Sequence, residues 1–154
     1  LRILREGGSQ SMIGFVMGEV DLANFMKQPW TFTDSDGGDG HPREYGTFPI
    51  KYRKYVVEEK IISLPFFIRN STGATADALG VKERGYLKPG YFADVVVFDP
   101  KTYAPKNDFI HYDVLAEGVK DLFVNGTAAV EGGKMTVALS GTPIKHIPKA
   151  GSCN

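Results

Sequence analysis

Asn125-Gly126 lies between two β-prone runs, Val119 to Val124 and Thr127 to Glu131. Asn-Gly in that setting is the strongest short-range hairpin signal, because a type I′ turn needs positive φ at both central residues. Gly132-Gly133 then separates the second run from a third, Lys134 to Leu139. Upstream, Pro89-Gly90 marks a turn, and Ala93 to Phe98 is an apolar, β-branched strand stopped by Asp99-Pro100. The C-terminal third therefore reads as a small antiparallel β unit. Residues 141–154, rich in Gly, Pro, Lys and Ser, read as a tail.

The N-terminal part has a different grammar. Residues 1–7 suit the end of a helix stopped by Gly7 and Gly8. Met12 to Met17 reads as a short buried strand. Asp21 to Lys27 has helical spacing, with Leu22, Phe25 and Met26 on one face, and Pro29 ends it. Trp30 to Thr33 reads as a second short strand. Strand–helix–strand with short connections belongs to parallel βαβ architecture. The middle is helical. Ile50 to Lys60 places Tyr52, Tyr55, Val56 and Glu59 on one face. Ser63 can cap a helix running through Arg69, and Ala74 to Leu79 forms a third helical stretch closed by Gly80. Two adjacent Phe, 66 and 67, imply burial of at least one. A complete (β/α)₈ barrel needs about 250 residues, and this chain has 154.

Charge narrows the function. The chain carries 18 Lys+Arg against 18 Asp+Glu. That balance argues against nucleic acid as a partner and against a polybasic membrane anchor. The longest apolar run, Val95 to Phe98, is far short of a transmembrane helix. Cys153 is the single cysteine, so no internal disulfide is possible, and a cytoplasmic setting is expected. Lys51-Tyr52-Arg53-Lys54-Tyr55 interleaves basic and aromatic residues, but the nearby Glu58 and Glu59 make it a solvated helix face on this reading. Gly85 to Gly90 lacks the Lys-Ser/Thr of a phosphate loop.

The densest chemistry is Asp34-Ser35-Asp36-Gly37-Gly38-Asp39-Gly40-His41-Pro42-Arg43. It fails as an EF-hand loop, because its fifth, sixth and twelfth positions are Gly38, Asp39 and Tyr45. Asp36 follows the C-terminal end of a predicted parallel strand, where α/β folds build their sites. There a carboxylate can ligate a divalent metal or take a proton from a bound water. The competing reading is an Asx turn, in which Asp and Gly simply shape the loop. Arg43 can fork onto a substrate carboxylate or pair with Glu44 or Asp39 on the surface. His41, His111 and His146 are too far apart in sequence to form a ligand pair. Asp94, in an apolar strand, reads as a cap for local backbone amides.

Several phrases together resemble the N-acyl-D-amino-acid deacylases (D-aminoacylases) of the amidohydrolase superfamily. They are Met17-Gly-Glu-Val-Asp-Leu22, Pro29-Trp30, Ser35-Asp36-Gly37, and His41-Pro42-Arg43 with Tyr45-Gly-Thr-Phe-Pro49. Further on are Ser63-Leu64, Ile68-Arg69, Thr72-Gly73, Leu79-Gly80 and Arg84-Gly85 with Leu87. The last are Pro89-Gly90-Tyr-Phe-Ala-Asp94-Val-Val-Val-Phe-Asp-Pro100 and Val124-Asn-Gly126. The resemblance runs in order from about residue 1 to 139.

The resemblance implies that the chain is the C-terminal third of a longer enzyme, an expectation that fits its opening without Met. It implies an α/β plus β fold: the last two strands of a (β/α)₈ barrel and the following helices over residues 1–84, then part of a small antiparallel β-sandwich over 85–140, with 141–154 as tail. Gly14 to Met17 and Trp30 to Thr33 are then barrel strands seven and eight. It implies a zinc-dependent hydrolase cleaving the amide of N-acyl-D-amino acids. Asp36 becomes the catalytic aspartate, a possible metal contact in the parent enzyme, that activates the metal-bound water. Arg43 becomes the arginine that holds the substrate α-carboxylate. Ser35, Gly37 and His41 shape the loop. The family's other metal ligands, a Cys and several His, have no counterpart here, so the chain alone is expected to bind no zinc and to be inactive. The loop between Asp36 and His41 is shorter than the family's. Unpaired edges are expected to drive self-association. The alternative is a non-catalytic α+β binding or oligomerisation module derived from the same family.

Overall fold

Gly14 and residues 16–38 and 40–145 are described by the computed structural model of the chain. The first helix, α1 (Glu19–Met26), carries Glu19 and Asp21 in its first turn, where carboxylates favour the helix dipole. Among the described residues no strand lies directly before it or between it and the next helix. Val16 is 89% exposed, Trp30 lies in a turn closed by Thr31 N donating to Gln28 O at 3.2 Å, and residues 31–33 have no ladder partner. The two N-terminal strand expectations are thus corrected over 14, 16–17 and 30–33, while 12, 13 and 15 lie outside the described residues, as do the helix end expected at 1–7 and the tail from 146. A parallel strand is completed only by another strand remote in sequence, and these residues contain none.

Helix α2 (Arg43–Ile50) runs directly into a π-helical segment, Lys51–Glu58. Pro49 lies inside α2 and offers no amide to the carbonyl four residues back. The wider register that follows is visible at Glu59 N, which donates to Lys54 O at 2.8 Å, five residues back. Sequence reasoning begins this helix at Ile50 and misses α2, because Gly46 and Pro49 are helix breakers by propensity. Helix α3 (Leu64–Ser71) is capped as expected: the Ser63 hydroxyl accepts Phe66 N at 3.3 Å. Of the paired phenylalanines, Phe67 is buried and Phe66 only partly so. Helix α4 (Gly73–Leu79) ends on Gly80 in the left-handed conformation, φ 66°.

Strands β1 (Val95–Phe98), β2 (Val119–Val124), β3 (Thr127–Glu131) and β4 (Lys134–Met135) form one antiparallel sheet in chain order. Asn125 and Gly126 both take positive φ, 51° and 81°, as the type I′ turn requires. Val124 pairs with Thr127 and Glu131 with Lys134 across the two turns. The third run is shorter than expected. Thr136 turns its hydroxyl onto Ala128 O at 2.7 Å, and the ladder ends at Met135. Asp94 does what a carboxylate beside an apolar strand most often does: it accepts Asn125 N at 2.8 Å and pairs with Arg84.

Helices and sheet meet at Tyr52. Its ring lies 5.8 Å from Phe67, 5.6 Å from Phe98 and 5.4 Å from Tyr103, and its hydroxyl donates to Pro100 O at 2.9 Å. Burial pushes the Tyr103 phenol up to about 12. Tyr52, Tyr55, Ile62 and Phe67 are the centre of this core. The basic-aromatic run is therefore not a solvated face throughout: Lys51, Tyr52 and Tyr55 are buried. Among the described residues no helix is long and apolar enough to cross a membrane.

Candidate functional site

Asp36 and Arg43 come together. Arg43 Nη2 lies 3.0 Å from Asp36 Oδ2, with 43% of the arginine side chain and 78% of the aspartate side chain exposed. Of the partners that sequence left open to Arg43, Glu44 has no such contact with it, and Asp39 lies outside the described residues. The Asx-turn reading applies to Asp34, whose Oδ1 accepts Asp36 N at 3.1 Å. Asp36 itself sits at φ 43°, in the left-handed region. Asp tolerates that region better than most residues, and the turn throws the Asp36 carboxylate towards Arg43.

Neighbouring residues set the shape of the loop. Gly37 faces Glu44 so closely that a Cβ there would lie 3.2 Å from Glu44 Cγ. Ser35 is half-buried at the base of the loop. His41 Nδ1 accepts Arg43 N at 3.0 Å, which requires that nitrogen to be unprotonated. Pro42 O accepts Gly46 N at 2.8 Å and so opens α2. Arg43 thus occupies the first residue of a helix, with its backbone held by His41 and its side chain paired with Asp36.

Beneath the loop lies a polar cluster that sequence reasoning did not find. Lys51 Nζ donates to Thr33 Oγ1 at 2.6 Å, with the residue 8% exposed. Desolvation lowers the Lys51 ammonium below its ordinary value. Ser71 Oγ reaches the same Thr33 oxygen at 3.4 Å, and Asn70 Nδ2 donates to Thr31 O at 2.7 Å. Asn70 is wholly buried. The signal was present in the spacing: Lys51 stands four residues before Tyr55, on the face that the aromatic residues mark as inward.

A zinc ion needs three or four converging N, S or O ligands. Among the described residues no three His, Cys, Asp or Glu side chains converge. His41 and His111 are each committed elsewhere, His41 to the Arg43 amide and His111 to Asp108 at 3.4 Å. The described residues offer Asp36 as a single carboxylate and do not form a zinc site by themselves. What the arrangement can do chemically is hold a carboxylate and a guanidinium side by side at an open loop. The pair is exposed and therefore weak, so an incoming carboxylate can share or replace Asp36 on the guanidinium fork.

No family model matches the chain. It is 35% identical over 124 residues to N-acyl-D-aspartate deacylase of Alcaligenes xylosoxydans xylosoxydans, covering 78% of this chain and 25% of that protein. The solved structure of a D-aminoacylase that defines a novel subset of amidohydrolases matches at a TM-score of 0.77 and 37% identity, over 82% of this chain and 28% of that one. The structure of N-acyl-D-glutamate deacylase from Bordetella bronchiseptica, complexed with zinc and a phosphonate mimic of the tetrahedral intermediate, matches at 0.71 and 33%, over 75% of this chain and 25% of that one. The chain spans about a quarter of the length of the proteins it matches. Over three quarters or more of its residues, the homologues and structural neighbours of this chain are D-aminoacylases of the amidohydrolase superfamily.

Proposed function

We propose that this chain forms the C-terminal part of a zinc-dependent hydrolase that cleaves N-acyl-D-amino acids into a carboxylic acid and a D-amino acid. In that enzyme residues 1–84 complete a (β/α)₈ barrel, 85–140 form part of a β-sandwich and 141–154 are a tail. A cytoplasmic setting is part of the same proposal and rests on the single cysteine. Zinc is proposed for the complete enzyme because a matched relative is complexed with it, and its ligands must come largely from outside the described residues. The observation that carries the reading is the Asp36–Arg43 pair, in a loop matching the family's Ser-Asp-Gly and His-Pro-Arg phrases.

The roles follow from chemistry. The Arg43 guanidinium offers planar donors to the substrate α-carboxylate, displacing or sharing Asp36. Asp36, released from the ion pair, takes a proton from the water that attacks the amide carbon. The water oxygen bonds to that carbon and the C–N bond breaks. The same proton passes from Asp36 to the leaving amine, so the carboxylate is regenerated. One carboxylate cannot do this alone, so the proposal assigns activity to the complete enzyme. Asp36→Asn in that enzyme should lower kcat by about 10²–10⁴, the usual contribution of a positioned acid–base group, with circular dichroism unchanged. Unaltered turnover would sink the assignment.

A second reading is a non-catalytic α+β binding or oligomerisation module, and β1 favours it. Among the described residues only β2 pairs with β1, and the Val96 and Val97 of β1 are exposed. An open strand edge with apolar side chains is a template for pairing with a second copy. Light scattering decides: a monodisperse monomer at high concentration removes the self-association half of this reading.

A further inference from the structure

The loop between β1 and β2 reaches back to the Arg43 helix. Its neck is closed by an antiparallel bridge of Ala104 with Glu117. Its tip is a self-contained turn: Asp108 Oδ1 accepts Ile110 N at 2.7 Å and His111 N at 2.6 Å, and Asp108 N donates to His111 O at 3.1 Å. From this frame two side chains grip the loop that carries Arg43. Asn107 Nδ2 donates to Pro42 O and, at 3.3 Å, to Tyr112 O. The Phe109 ring meets His41 edge-on at 5.5 Å.

The fit is close on the far side too. Asn107 Oδ1 is buried without a hydrogen-bond donor and faces Gly46. A Cβ at Gly46 would come within 2.7 Å of that oxygen, so glycine is what lets the amide reach Pro42. Pro42 O has two lone pairs. One receives Gly46 N, which starts α2, and the other receives Asn107. His41 Nδ1 in turn holds Arg43 N. The two residues that precede Arg43 are thus each held, Pro42 by Asn107 and His41 by Phe109.

We propose that Asn107 is a positioning residue for substrate binding, setting through Pro42 where the Arg43 guanidinium meets the substrate carboxylate. This rests on the role proposed for Arg43 above. Asn is suited to the task because its amide donates to two carbonyls at once. Aspartate has the same shape but no donor, and would set a negative charge against both carbonyl oxygens.

The test uses the complete enzyme containing this chain. Asn107→Ala should raise KM for an N-acyl-D-amino acid about tenfold, the size of one lost hydrogen bond, and leave kcat within about twofold, since a carboxylate clamp binds ground and transition states alike. Asn107→Asp should do the same or more. In an Arg43→Ala background, Asn107→Ala should change KM no further, because the two act through one contact. Gly46→Ala should mimic Asn107→Ala, and the double variant should be no worse than either single one. Additive KM effects with Arg43→Ala, or a loss confined to kcat, overturn the proposal. Amide exchange separates this failure from failure of the functional reading. Wild-type enzyme without deacylase activity sinks the reading of function and, with it, the substrate half of the inference. Unchanged exchange at Arg43 and Gly46 in Asn107→Ala shows that no clamp exists, whatever the activity.

Discussion

The β1–β4 sheet and the Thr31–Gly38 stretch are held in place in opposite ways. Each sheet strand bonds to its neighbour in chain order, and two tight turns set the register. The stretch before Asp36 pairs with no strand among the described residues. Side chains from the helical half hold it instead: Asn70 donates to Thr31 O, and Lys51 and Ser71 converge on Thr33 Oγ1. The sheet is therefore a local construction, whereas the loop carrying the candidate carboxylate inherits its position from α3 and the π-helical segment. A change in the sheet should leave Asp36 in place, and a change in the helices should not.

Tyr52 is where this contrast should fail, because it belongs to both regions. It touches Phe67 on α3, Phe98 on β1 and Tyr103 beyond it. Tyr52→Ala removes a buried ring and leaves a cavity between the halves, at a cost of about 3–5 kcal/mol. Urea unfolding should show the loss, and amide exchange should rise in β1 and α3 together. A loss below about 1 kcal/mol, or exchange confined to one half, would mean that the halves are independent.

The same contrast explains what could be read from sequence. Asn125-Gly126 carries its conformation within two residues, so the hairpin and its strand limits were legible. Ser63 and Gly80 are equally local, and the ends of α3 and α4 follow from them. Trp30 to Thr33 has strand-like side chains, but a ladder needs a partner that no described residue supplies. Arg43–Ile50 was hidden for another reason. Its Gly46 is there to admit Asn107 from a loop far along the chain, a tertiary demand that local propensity cannot show. Asp36 and Arg43 were legible as residue types in a motif. Their pairing was not, because it depends on the left-handed turn at Asp36.

Asp94 tests the sheet side alone. Burial pushes its carboxyl up, but the Asn125 amide and the Arg84 guanidinium together outweigh this and leave it below the usual carboxylate value. A depressed folded-state value means stability that is present above the unfolded value and lost as pH falls through the folded one. Asp94→Asn leaves the mostly buried Arg84 without its counter-charge. Discounted for the partial exposure of the carboxylate, the cost at neutral pH is about 1–2 kcal/mol. The gap to wild type should narrow as pH falls through the carboxylate range. Exchange at Asp36 and Arg43 should stay at the wild-type rate. A change there would show that the sheet reaches the candidate site by some route other than Tyr52 and Asn107.

Lys51 gives the smallest effect and the sharpest sign. Its ammonium is buried against a neutral hydroxyl, and desolvation lowers its titration below the ordinary lysine value of 10.5. Between the lowered folded value and the unfolded one, the unfolded chain binds the extra proton. Stability contributed through this group therefore rises with pH in that window and is lowest below it. Lys51→Met keeps much of the length, removes the buried charge and gives up one hydrogen bond. The two effects oppose each other, so the variant should lie within about 1 kcal/mol of wild type at pH 7. Raising the pH towards 10 should move the difference in favour of wild type. Lys54, raised chiefly by its hydrogen bond to Glu19, has the opposite slope, but it is present in both proteins and cancels. Urea midpoints measured at both pH values read the difference directly. A gap that does not change with pH would mean that Lys51 is solvated, and the stretch before Asp36 would then rest on Asn70 and Ser71 alone.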